Sequence, residues 1–261
     1  MKIFIFVALV GLLHASVDRE ELDVQEGEEL VKEDIELDAE KGTQKYHTGD
    51  HCGRKGATEF IDSQNGYVAR KFDHNPKRSF SGKNSMENYC VVRPYNPKTD
   101  LDPVQAKDAL KKAHNKMPKE VIEIEDFYIM RDYKYMGADK PRLPQSIVDF
   151  CEGLQIGIKK VVKDKEEAAK EQVKEMLAHH KNGRKRAILR EFNACTNKST
   201  MMANRCMGPK LRAKCDVRKE GASCVYQIKC PLDLQKGGFN CRGLHKYDSA
   251  MCCDYWCDFS S

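Results

Sequence analysis

Residues 195–257 read CTNKSTMMANRCMGPKLRAKCDVRKEGASCVYQIKCPLDLQKGGFNCRGLHKYDSAMCCDYWC. Nine of the chain's twelve cysteines fall here: Cys195, Cys206, Cys215, Cys224, Cys230, Cys241, Cys252, Cys253 and Cys257. Such density marks a region that matures where thiols oxidise and is braced by disulfides instead of a large apolar core. The other three, Cys52, Cys90 and Cys151, precede a basic cluster at Arg184, Lys185 and Arg186. Three and nine are both odd, so complete pairing needs at least one bridge between the two parts. Cleavage at the cluster would then leave two covalently linked chains. Adjacent Cys252 and Cys253 are expected to reach different partners. Residues 223–230 alternate Cys224, Tyr226 and Ile228 with other side chains, which predicts a strand, and Gly237-Gly238 predicts a turn.

Towards the N-terminus, residues 187–206 read as a helix with Ile188, Phe192, Cys195 and Cys206 on one face. Before it, Ile147, Cys151, Leu154, Ile158, Val162, Ala169, Val173 and Met176 recur mostly every three or four residues. That period predicts a long amphipathic helix over 145–181, weakened at Gly153 and Gly157 and stopped by Asn182-Gly183. Asp102-Pro103 predicts a helix start, with the helix running to about Met117. Residues 121–130 read as a strand. Asn65-Gly66 predicts a hairpin turn inside 60–72, with Cys52 and Cys90 placed to tie its ends.

Lys2, the apolar run 3–13 and small Ala15 and Ser16 have the form of a secretory signal peptide, assigned to residues 1–15. Residues 16–40 hold twelve acidic side chains against only Arg19 and Lys32, with no aromatic or cysteine. That composition predicts disorder over 16–41, read as an acidic propeptide or as a permanent solvating tail. The full chain has a net charge of +5, and removing Lys2 with residues 16–40 leaves 42 basic and 28 acidic residues, a net of +14. Such a charge attracts anionic surfaces.

The fold class expected is α+β: long amphipathic helices with short strands and hairpins and a disulfide-rich C-terminal region. The domains expected are residues 42–186, mixed α/β with the helix at 145–181, and 187–261, disulfide-rich and linked covalently to the part before it. No later stretch is apolar enough to span a bilayer.

Catalytic patterns are absent: there is no GxSxG elbow, HExxH helix or GxGxxG loop. His47 and His51 have helical metal-ligand spacing, but Gly49 and Gly53 argue against a helix there. No CxxC pair supports zinc. An enzyme, a cofactor, a metal and a nucleic-acid partner are therefore not expected. Asn197-Lys198-Ser199 is a glycosylation sequon at Asn197. Trp256 and Phe259, near Arg242 and Lys246, are candidates for a basic-aromatic target-contact patch, and Arg184, Lys185 and Arg186 for an anionic-surface contact.

In architecture, the leader at 1–15, the acidic segment and the cysteines of 195–257 resemble animal venom proteins, and among them the larger cysteine-rich scoloptoxins of centipedes. The resemblance implies a secreted, extracellular toxin-like protein that modulates an ion channel or receptor. Two other functions fit the residues. One is matrix or glycan binding through Arg184–Arg186. The other is protease inhibition, with Lys229 beside Cys230-Pro231 offered to an enzyme.

Overall fold

The computed structural model describes residues 17–51, 54–73, 88–136, 140–181, 210–217, 223–235 and 237–258. Their architecture is mostly β, organised by one mixed sheet of 11 strands, which overturns the α+β expectation. Six strands form an antiparallel meander: β1 (Asp18–Glu26), β2 (Glu29–Asp38), β3 (Thr43–Thr48), β4 (Ala57–Asp62), β5 (Tyr67–Phe72) and β6 (Tyr89–Pro94). Then come α1 (Pro103–Lys112), β7 (Val121–Asp132), α2 (Gln145–Phe150), β8 (Gln155–Val162) and α3 (Lys165–Lys181). After residue 209 follow β9 (Leu211–Val217), β10 (Ser223–Lys229), the short pair β11 (Leu232–Asp233) and β12 (Gly238–Phe239), and β13 (Arg242–Cys257). The order across the sheet is β1-β2-β3-β4-β5-β6-β8-β7-β13-β10, with β9 on the distal half of β13. β6–β8 and β7–β13 are parallel, and the strands of each pair are separated in the chain by two helices and at least one other strand.

The acidic segment is not disordered. It is the β1–β2 hairpin, turning at Gly27 with φ +61. Leu22, Val24, Val31, Ile35 and Leu37 lie on alternate positions and are buried in the largest core cluster. The charged partners of that alternation face outward, so one strand face suffices where the average composition is hostile. Removing residues 16–40 would strip two strands from this core, and the +14 charge does not describe the fold seen here. The outer edge of β1 is covered as well. Asp23 N–H donates to the Asn115 carbonyl (3.2 Å), and Met117 N–H donates to the Asp23 carbonyl (3.1 Å).

The single helix expected over 145–181 is three elements. Gly153 adopts φ +79, a left-handed conformation that ends the helical path after α2. The chain then runs extended as β8 between β6 and β7. A helix resumes only after Asp164, whose side chain accepts from the Glu167 N–H (2.8 Å) as a cap for α3. α1 starts where Asp102-Pro103 predicts it, with a reciprocal capping box between Asp102 and Gln105, but it ends at Lys112 rather than near Met117. The β4–β5 hairpin turns at Gly66 with φ +77. Cys90 bonds Cys151, not a cysteine at the other end of that hairpin, and so fastens α2 to β6.

The sheet rolls up. At about 4.8 Å per strand, β2 and β10 would stand about 38 Å apart in a flat sheet. Instead the Tyr226 N–H of β10 donates to Glu33 of β2 (3.0 Å), and β10 packs on β3 and β4. Arg70 of β5 likewise reaches Asp248 of β13 at 2.9 Å, although three strands lie between them. α1 closes over the join, placing Ala106, Ala109 and Leu110 against β2 and β10.

From part-exposed Asp126 a chain of eight alternating charges runs into the roll: Asp126–Lys159–Asp248–Arg70–Glu59–Arg93–Asp100–Lys246. The links are 2.5–2.9 Å apart, apart from the looser Glu59–Arg93 contact at 3.9 Å. Burial pushes the Asp248 carboxyl up, but Arg70 and Lys159 outweigh it and hold the group down at about 2. Burial also opposes ionisation of Asp100, yet Arg93 and Lys246 keep it well below the usual carboxylate range. Glu33 stands apart from this chain. Burial drives its carboxyl up to about 8, so it is neutral at neutral pH.

Among the described residues no helix is long and apolar enough to cross a membrane. The signal-peptide residues 1–15, the helix expected over 187–206, Arg184, Lys185, Arg186, Asn197, Phe259, Cys52, Cys195 and Cys206 lie outside the described residues.

Candidate functional site

β10 leads directly into a finger. Cys230 and Cys241 bond each other at its root, with their Cα atoms 3.9 Å apart. Between them Leu232 pairs with Phe239 and Asp233 with Gly238. The Asp233 side chain accepts from Gln235 N–H (3.0 Å), its carbonyl accepts from Gly237 N–H (3.0 Å), and Gly237 takes φ +69. A loop this short has no core of its own, so its apolar side chains face water: Leu232 is 61% exposed, Leu234 84% and Phe239 53%. The root is anchored, because Cys230 and Cys241 pack against the cluster that holds α1. Pro231, the Gly237-Gly238 turn and two cysteines eleven apart were the sequence signal. The exposure of the residues between them had no signal short of that reasoning.

Basic residues lie near the finger's base. Lys112 Nζ lies 3.3 Å from the Phe239 ring centroid, a cation–π contact, and also pairs with Asp108. Lys229 donates to the Lys98 carbonyl (2.6 Å), which brings Lys98 to the finger's base. Arg242 begins β13 next to Cys241 and pairs with Glu120 at 2.9 Å. Lys111 occupies the same last turn of α1 as Lys112.

The predicted target-contact patch is not assembled. Lys246 is 8% exposed and pairs with Asp100 inside the roll (2.9 Å), because its position on β13 faces inward. Trp256 is 42% exposed but stands fourteen residues beyond Arg242 on the same strand, about 45 Å of extended chain. Lys229 folds back onto Lys98 instead of projecting, which leaves the inhibitor reading without a presented side chain. The chain of charges was equally invisible as a site in the sequence, where Glu59, Arg70 and Arg93 look like solvated strand residues.

The disulfides divide. Cys215–Cys253 joins β9 to β13, Cys230–Cys241 closes the finger, and Cys252 is also bonded. Cys224, assigned to a bridge from sequence, is a free buried thiol. His51 Nδ1 donates to the Gly49 carbonyl (2.7 Å), which leaves Nε2 to accept from the Cys224 thiol (2.8 Å). Tyr226 donates to Glu26 (2.7 Å), Glu26 pairs with Arg54 (2.7 Å), and Arg54 lies over the Tyr247 ring. A cysteine beside an imidazole is the outline of a nucleophile, but burial pushes this thiol up to about 11. The thiol stays protonated at neutral pH. An open cleft of about 310 Å³ between the β1–β2 turn and residues 49–51 reaches His51 but is not lined by Cys224. The cluster therefore knits β10 to the turn after β3 and offers no activated nucleophile. No group of three or more His, Cys, Asp or Glu among the described residues is arranged to hold a metal ion. Compared with family models, with curated proteins and with solved structures, the chain matches none.

Proposed function

We propose that the protein is a secreted, disulfide-braced binding protein that acts in a toxin-like manner on a membrane channel or receptor, with the finger at 230–241 as its contact element. One observation carries this reading: three large apolar side chains are held exposed on a loop locked at its root by Cys230–Cys241. Exposed apolar residues on a rigid frame favour binding because little conformational entropy is lost when they are covered. The disulfides suit an oxidising, extracellular location. The buried Cys224–His51 pair supports no competing catalytic reading.

The test is saturable binding of labelled protein to intact excitable cells, with and without prior protease treatment of the cell surface. Binding that is lost after protease treatment, and that Leu234→Asp protein fails to compete away, supports the reading. Equal competition by Leu234→Asp and wild type removes the finger from the function.

A further inference from the structure

The finger's surroundings identify what it meets first. Leu232, Leu234 and Phe239 form an apolar tip; Lys112 lies against Phe239, Lys229 and Arg242 flank the two cysteines, Lys229 bonds the Lys98 carbonyl, and Lys111 precedes Lys112 in the last turn of α1. Two of these five are matched by carboxylates, Lys112 by Asp108 and Arg242 by Glu120. Lys98, Lys111 and Lys229 have no carboxylate partner among the described residues, and the one acid inside the finger, Asp233, already serves the Gln235 and Gly237 turn. An apolar tip above a collar of surplus positive charge is complementary to an anionic lipid interface: acyl boundary for the tip, phosphate headgroups for the collar.

We infer that the finger is a membrane-interface anchor for anionic lipid, with Leu232, Leu234 and Phe239 entering the acyl boundary while Lys98 and Lys111 lie at headgroup level. This rests on the finger being the contact element proposed above, and it adds that lipid is bound directly, before any protein target. The geometry suits shallow seating. The hairpin between the two cysteines is ten residues long and offers only two short strands, so it reaches the interface and does not span a bilayer.

The experiment is co-sedimentation of the full chain with vesicles of phosphatidylcholine alone and of 7:3 phosphatidylcholine to phosphatidylglycerol, in low and high salt. Expected are binding to the anionic vesicles, weakening as salt rises, and little binding to phosphatidylcholine. Leu234→Asp is expected to lower partitioning about tenfold or more. Each of Lys98→Gln and Lys111→Gln is expected to lower it about fivefold. Leu30→Asp, an exposed apolar position on the β1–β2 hairpin, should change nothing. A second readout is independent of partitioning: Leu234→Trp in a Trp256→Phe background should shift its emission to the blue on anionic vesicles. No binding to anionic vesicles, or binding indifferent to Leu234→Asp, overturns the anchor. If vesicles are ignored while protease-sensitive, Leu234-dependent cell binding persists, the anchor falls and the finger reading stands. If both are absent, both fall.

Discussion

Seven charged side chains lie inside the roll, with the part-exposed Asp126 ending their chain, whereas three large apolar ones lie outside it on the finger. The two regions are held by opposite means. Inside, every charge in the chain touches an opposite one, and the cost of desolvation is met by contacts that also specify which strands meet. Outside, apolar burial contributes little, and a covalent bond between Cys230 and Cys241 keeps the shape. A charged interior demands one arrangement of its strands. A disulfide-closed loop tolerates nearly any side chain at its tip, which leaves the tip open to selection for contact.

The sharpest way to break that contrast is to remove one charge from the interior. Arg70→Met leaves Glu59 and Asp248 buried without their shared cation, and unfolding in urea should show a loss of about 3–5 kcal/mol. A loss under 1 kcal/mol would mean the interior is wetter or looser than described. Next comes Glu33, the inward acid with no ion-pair partner among the described residues. Its folded value, about 8, lies above the ordinary 4.5, so the folded state holds the proton more tightly than the unfolded chain. Its contribution is therefore most favourable below pH 4.5 and is lost as pH rises towards 8, at about 1.4 kcal/mol per pH unit in between. Glu33→Gln should thus gain about 3 kcal/mol on wild type between pH 5 and 7, read from paired denaturation curves. A gap that stays constant across this window would show that Glu33 ionises inside the fold.

Opening the finger should matter less to the whole. Replacing Cys230 and Cys241 together by Ser should cost about 2 kcal/mol. Amide exchange should quicken over 231–240 while the amides of β4 to β8 keep their protection. Loss of protection throughout the sheet would make the finger part of the core. At Cys224, iodoacetamide at pH 8 should leave the native thiol untouched and label it in urea without reductant, since burial raises it to about 11. Labelling of the folded protein would instead expose an accessible nucleophile. The smallest effect on stability belongs to the tip: Leu234→Asp should shift the unfolding midpoint by no more than about 0.5 kcal/mol.

Local signals were legible where one residue type forces a geometry. Asn65-Gly66 turns the β4–β5 hairpin, Asp102-Pro103 opens α1, and the alternation around Tyr226 marks β10. Two larger readings failed for identifiable reasons. Leu154, Ile158 and Val162 are four apart, and a spacing of four is one helical turn and equally two strand repeats. The chain resolved that ambiguity at Gly153, whose positive φ frees the next residues to extend between β6 and β7. In the acidic segment, net charge averaged two strand faces and hid the apolar series Leu22, Val24, Val31, Ile35 and Leu37. Of the finger, the cysteines, Pro231 and the glycines were readable. The collar was not, because Lys98 and Lys111 reach it only through the packing of α1 and the 95–100 turn against β10.

The covered ends of the sheet bear on self-assembly. A strand with a bare ladder is a template for another copy of itself, and long sheets are the most exposed to it. Here Asp23 of β1 gives its outer N–H and carbonyl to Asn115 and Met117, while Glu33 takes the Tyr226 N–H of β10 as the roll closes. At Asp23 and Tyr226 the two ends of the strand order are thus occupied by the chain itself. Where these groups are taken, another copy of the chain finds no free ladder to extend.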